Sequence, residues 1–271
     1  MTDASHALRS HAHHRQTFEW LVAQYHQLRQ PYRAVVLGLG APQGAGKSTF
    51  VSQAVQWFAD IGLRAVAVSI DDFYWPRRDQ EALARLHPHN PYLQPRGYPG
   101  THDLALGTQT LRTLAHLPAQ SDCLVPSYAK SALAGLGDRT PTSQWPRVHG
   151  PLDVVLLEGW LLGFEPLQAV EHLDASLTDI NNLLSDYNQW HAQLDALLLW
   201  RMADPHSVIA WRMQAEAARV MAGHAGLSAG EIRAYVELFL PAYALWGTRP
   251  SSICGAQQRT VVLGPDRLPL S

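Results

Sequence analysis

The chain has 271 residues, with 21 Lys+Arg against 23 Asp+Glu and a formal net charge of −2. Charged residues make up only 16% and hydrophobic residues 46%, which excludes a disordered chain, a fibrous repeat and a strongly basic nucleic-acid binder. At ~150 residues per domain the length fits one or two domains.

Residues 16–30 place Phe18, Leu21, Tyr25 and Leu28 at helical spacing and predict an amphipathic helix stopped by Pro31. The stretch before it is polar and has no apolar signal core. Its His11, His13 and His14 read as a solvated helix start rather than a metal site, because no carboxylate or cysteine joins them. Residues 34–42 are a short apolar run and predict a buried strand; a Gly-rich turn and a helix over about 47–61 follow. A second apolar run, 64–70, ends in Asp71 and Asp72. Strand, helix and strand with both strands apolar predict a βαβ unit in a parallel sheet.

Residues 75–103, rich in Pro, Arg, His and Gly, read as an irregular excursion. A helix near 103–117 comes next, then a loop-like stretch over 122–150 with 123–128 as a candidate short strand. Both excursions are too long to be mere connections. A third strand, 152–160, carries Glu158 near its end; 167–193 reads as helical and 194–202 as a fourth strand. Helices over 205–222 and 228–240 and a last strand at 259–264 complete the order. Cys123 and Cys254 have no CxxC spacing and suit a reducing, cytoplasmic location. No run approaches the ~18 apolar residues of a membrane span.

Residues 41–49, APQGAGKST, fit the phosphate-binding pattern GxxxxGK[ST] with Ala41 in place of the first glycine. The motif follows a predicted strand and opens a predicted helix, as phosphate binding requires. Gln43, Gly44, Ala45, Gly46, Lys47, Ser48 and Thr49 are the expected ATP-binding residues. Lys47 is expected to reach the β- and γ-phosphates, and Ser48 to offer its hydroxyl to Mg²⁺. Nineteen of the basic residues are arginines, and Lys47 is one of only two lysines, the other being Lys130. Asp71 and Asp72 end a strand on the ligand side of such a sheet and can orient or deprotonate an attacking hydroxyl. Glu158 ends a Walker B-like strand and is the second expected Mg²⁺ residue. Guanine-reading NKxD and protein-kinase HRD and DFG elements are absent from the sequence. The fold class expected is α/β, a P-loop NTPase fold with a mainly parallel sheet and helices on both faces.

The phosphate loop, the strand ending Asp71-Asp72-Phe73-Tyr74 and the Glu158-Gly159 strand end resemble the phosphoribulokinase, uridine kinase and pantothenate kinase group. Further stretches resemble the D-glycerate 3-kinase branch more specifically: Arg96-Gly97, His102-Asp103-Leu104, Pro126 to Lys130-Ser131, Gly137-Asp138-Arg139, Glu158-Gly159-Trp160 and Trp211-Arg212 to Glu216. The resemblance spans about residues 34–246. It implies MgATP-dependent phosphorylation of the 3-hydroxyl of D-glycerate, with Asp71 as general base and Asp72 in reserve. Arg212, with Arg219 as second choice, takes the place of a lid arginine. Asp72, Tyr74, Arg96, His102, Asp103, Tyr128, Lys130 and Arg139 are the expected acceptor-binding residues: cations for a carboxylate, hydrogen-bonding groups for hydroxyls.

The chain is thus expected to be one kinase domain over 1–271, with a helical extension at 1–30, acceptor excursions at 75–103 and 122–150, and a lid-like region near 203–225. Its partner is expected to be a small molecule, with neither nucleic acid nor membrane. A kinase for pantothenate, uridine or another sugar acid is the first alternative, and a non-catalytic ATP-binding regulator the second.

Overall fold

A computed structural model describes residues 3–221 and 229–270. Strands β1 (Val35–Gly40), β2 (Ala65–Ser69), β7 (Val154–Gly159), β8 (Ala196–Met202) and β9 (Gln258–Leu263) form one sheet in the order β2-β7-β1-β8-β9. Every pairing in it is parallel, so the sheet is wholly rather than mainly parallel. The three inner strands are buried along their full length, which is why they read as unbroken apolar runs.

Helix α1 (Asp3–Leu28) precedes β1, and α2 (Lys47–Asp60) links β1 to β2. On β8, Trp200 packs against His13 and His14 of α1 and Phe50 of α2, whereas Arg201 donates to the carbonyls of Trp246 and Gly247. Neighbouring residues of a strand point to opposite faces, so both faces of the sheet are covered.

The two excursions depart from the expectation of irregular chain. The first contains α3 (Arg77–Leu86), whose ten residues are masked in the sequence by the Pro, His and Gly residues flanking them. Helix α4 (Leu104–Ala115) then opens on an Asp103 cap, whose carboxylate accepts from Leu106 N at 3.0 Å. The second excursion holds two small antiparallel ribbons: β3 (Asp122–Leu124) with β6 (Arg147–His149), and β4 (Tyr128–Ala129) with β5 (Asp138–Arg139). In the 167–193 stretch helix begins only at α5 (Ala175–Leu184), capped by Asp174, and resumes in α6 (Asn188–His191). Helices α7 (Ser207–Met221) and α8 (Ala229–Glu237) follow β8. Residues 222–225 of the expected lid region lie outside the described residues.

Of the three histidines near the start of α1, His11 is exposed as expected, but His13 and His14 are not solvated. His13 is 6% exposed with its ring 5.1 Å from Trp200, and His14 stacks on Trp200 and bonds Gln53 at 2.9 Å. Among the described residues no group of three or more His, Cys, Asp or Glu side chains is placed to hold a metal ion. Burial, aided by His14 and Arg259, lowers the His13 pKa to about 4. In the unfolded chain His13 titrates near 6.5, so the unfolded state binds the extra proton below that value. Stability from this contact is therefore complete above pH 6.5 and lost as pH falls toward 4. We expect His13→Leu to flatten the acid limb of a denaturation-versus-pH profile by about 2–3 kcal/mol; equal slopes for parent and variant would remove His13 from that role.

Candidate active site

All the parallel strands end on one edge, and the predicted motifs lie there. Leu39 of β1 and Ser69 of β2 both register with Glu158 of β7. The Gly40-to-Lys47 turn, the Ile70–Phe73 helical turn that carries Asp71 and Asp72, and Glu158 therefore share one crevice.

The phosphate loop owes its path to two glycines. Gly46 caps α2 at φ 91°, contributes no side-chain cap, and has nothing within 4 Å of where a Cβ would stand. The first N–H groups of α2 are left for an anion in that open space. Gly44, at φ 75°, faces the opposite constraint: a Cβ would stand 2.8 Å from the Trp211 carbonyl carbon of α7. Ala41 has no left-handed φ and donates to Gly159 O at 3.0 Å, so the missing first glycine costs this turn nothing.

Three residues to which the sequence reading gave no site role brace the loop. Tyr243 accepts from Gln43 N at 3.0 Å. Arg267 donates to Gly44 O at 2.7 Å and to Trp211 O at 3.1 Å, and its guanidinium lies over the Trp211 ring. Trp211 in turn donates to Pro265 O at 2.7 Å. The chain after β9 thus ties the phosphate loop to α7. Beside Trp211, Arg212 pairs with Glu216 at 3.3 Å and is half-buried. Arg219 also lies in α7, but its side chain is outside what the structure describes.

Asp71 is the electrostatic centre. Lys130 Nζ lies 2.5 Å from its Oδ2. Burial alone would raise the Asp71 pKa, but the Lys130 and Lys47 ammonium groups overcome that and hold it well below the usual carboxylate range. Asp72 differs: burial, with a contribution from Asp71, pushes it up to about 6 although Tyr128 N donates to it. Glu158 is 7% exposed and its Oε2 has no hydrogen-bond partner. Burial raises its pKa, and Lys47 opposes the rise. A buried carboxylate oxygen left unpaired beside the phosphate loop fits the expected cation-binding role, and Ser48, the other residue expected there, is the second residue of α2. Tyr74, buried and hydrogen-bonded to Asp71, has its pKa raised by burial and by that charge. Tyr235 of α8, also missed in the sequence, lies within electrostatic reach of Asp71, Arg96 and Arg212.

The remaining acceptor candidates brace rather than face this centre. Arg139 pairs with Asp103 at 3.2 Å and donates to Tyr74 O. Arg96 donates to the carbonyls of Lys130, Gly135 and Leu136 and lies over the Tyr128 ring at 5.5 Å. His102 is buried, stacks on Tyr74 and bonds the Tyr187 hydroxyl at 2.6 Å. Burial lowers its pKa to about 3, so it is neutral.

The raised Asp72 pKa has a measurable sign. Its native carboxyl holds a proton up to about pH 6, whereas the unfolded one releases it near 3.8. Stability therefore falls as pH rises through that window. Asp72→Asn should be about 1–2 kcal/mol more stable than the parent at pH 8, with the gain gone below pH 4, as read by urea denaturation. A gain that is the same at both pH values would show that ionisation of Asp72 is not its source.

A phosphate loop after β1 of a wholly parallel sheet, with a lysine-held carboxylate after β2 on the far side of β7, defines a P-loop kinase. No family model matches the chain. It is 42% identical over 213 residues to D-glycerate 3-kinase, chloroplastic, of Arabidopsis thaliana, which covers 77% of this chain and 47% of the plant protein. The chain thus spans about half the length of that relative. It is 34% identical over 219 residues to the probable ATP-dependent kinase TDA10 of Saccharomyces cerevisiae, with 76% of this chain and 75% of the yeast protein covered. Its fold is similar to that of D-glycerate 3-kinase from Cryptococcus neoformans, with a TM-score of 0.84, 27% identity, and 95% and 97% of the two chains covered. The chain belongs to the D-glycerate 3-kinase family. No helix among the described residues is long and apolar enough to cross a membrane.

Proposed function

We propose that the chain, as one kinase domain over residues 1–271, transfers the γ-phosphoryl group of ATP to the 3-hydroxyl of D-glycerate, giving 3-phosphoglycerate and ADP. The observation that carries the reading is the placement of Asp71 between Lys47, on the phosphate-loop side, and Lys130, on the acceptor side. The names of the plant relative and of the Cryptococcus neoformans protein support D-glycerate as the acceptor.

Phosphoryl transfer needs little covalent help, so the work is positioning and charge compensation. The N–H groups at the start of α2 and the Lys47 ammonium bind the phosphates. Asp71 takes the hydroxyl proton, the acceptor oxygen bonds to the γ-phosphorus, and the bond from that phosphorus to the ADP oxygen breaks. Arg212 moves its charge toward the transferred group from the start of α7. Ser48 and Glu158 would hold Mg²⁺, which supplies neutralising charge to the β- and γ-phosphates. The free thiols of Cys123 and Cys254 suit the cytosol as the compartment proposed.

A panel of acceptors tests the reading. The purified chain, with MgATP and D-glycerate, pantothenate, uridine or glycerol, is followed by release of ADP and identification of the phosphorylated product. Acceptor-dependent turnover with D-glycerate and formation of 3-phosphoglycerate are expected. Turnover with pantothenate or uridine and none with D-glycerate would overturn the acceptor assignment. Binding of ATP without transfer to any acceptor would overturn the kinase.

A further inference from the structure

Lys130 combines a fixed backbone with a mobile charge. It follows Ala129 of β4, and the Arg96 guanidinium holds its carbonyl at 3.2 Å together with those of Gly135 and Leu136. Its side chain is nevertheless 57% exposed, on four methylenes that let the ammonium swing. Arg96 and Arg139, the other cations expected near the acceptor, are engaged by backbone carbonyls and by Asp103. Lys130 is therefore the acceptor-side cation whose charge is directed at the reaction centre. Its partner is the carboxylate that must accept the proton, at 2.5 Å.

A carboxylate paired to an ammonium is a weak base. An incoming carboxylate can offer the ammonium an equivalent charge-assisted partner, so one ion pair is exchanged for another. We propose that Lys130 is a specificity switch: it blocks Asp71 while the acceptor site is empty, and the carboxylate of a bound hydroxy acid draws it away and frees Asp71 for the hydroxyl proton. This rests on the reading of the acceptor as D-glycerate and adds how that acceptor is chosen. The freed Asp71 Oδ2 takes the proton as the acceptor oxygen bonds to the γ-phosphorus and ADP departs with its bridging oxygen; after product release the proton passes to water. A neutral polyol has no carboxylate to exchange and finds the base blocked. Water does too, which protects ATP from hydrolysis in the empty site.

The test compares D-glycerate with glycerol, which keeps the hydroxyls and lacks the carboxylate, in the parent and Lys130→Met. The ratio of kcat/KM values, glycerate over glycerol, should fall about 100-fold, while glycerol phosphorylation and acceptor-free ATP hydrolysis both rise. Parallel loss on both acceptors, with no rise in hydrolysis, overturns the switch. In Asp71→Asn the Lys130 ammonium no longer has a competing carboxylate, so D-glycerate measured by calorimetry should bind about 10-fold tighter; equal or weaker binding also overturns it. Failure of the functional reading is seen separately, as no D-glycerate turnover in the parent, and takes this proposal with it. Parent turnover with parallel loss in the variant removes the switch alone.

Discussion

Asp71→Asn should lower kcat for D-glycerate by about 10²–10⁴-fold while leaving ATP affinity nearly intact. Asparagine has the same shape and can still accept a hydrogen bond, so the Ile70–Phe73 turn and its Ser69 cap at Asp71 N are kept. What is removed is the group that can take the acceptor's proton. Asp72, the reserve candidate, is not expected to replace it, because its carboxylate is engaged by Tyr128 N. Turnover is read in a coupled ADP assay, and nucleotide affinity by calorimetry with a non-hydrolysable ATP analogue. A fall in kcat of less than about 10-fold would deny Asp71 the role of base. A large loss of nucleotide affinity would show instead that the residue serves the phosphate side of the crevice.

The parts of this site that were legible in the sequence are those encoded locally. Apolar runs ending in Asp71 or Glu158, and a glycine turn between a strand and a helix, each carry their signal within about ten residues, and parallel-sheet topology then brings them to one edge. What stayed hidden depends on contacts between distant segments. Nothing near Arg267 announces that it holds Gly44, 223 positions away, or near Tyr243 that it bonds Gln43, 200 positions away. The partners of Arg96 were hidden for the same reason. Its charge suggested a substrate carboxylate, but a guanidinium has several donors in a fixed fork, and in the fold they meet three carbonyls of the hairpin that carries Lys130. Polarity misled at the histidine cluster too. Only the packing of α1 on Trp200 shows that His13 and His14 complete the hydrophobic layer.

Lys47→Ala should reduce kcat/KM for ATP by about 10²–10³-fold, the range expected when one preorganised charge is withdrawn from the transferred phosphoryl group. The fold should persist: Lys47 is the first residue of α2, the glycines on either side of Ala45 set the turn, and the brace from Arg267 and Tyr243 reaches the loop at Gly44 and Gln43. Unchanged thermal unfolding would separate loss of chemistry from loss of structure. Lys47→Arg is the more discriminating variant. This chain uses 19 arginines and two lysines, so arginine is its ordinary way of carrying positive charge. Both lysines nevertheless bear on Asp71, one from the phosphate side and one from the acceptor side. A compact ammonium fits between a carboxylate and a phosphate, where a planar guanidinium needs a wider, fork-shaped partner. The arginine variant should therefore recover less than a tenth of parental kcat/KM, by the same reasoning from charge placement. Full recovery would mean that only the charge matters, and the two lysines in an arginine-rich chain would then need another explanation.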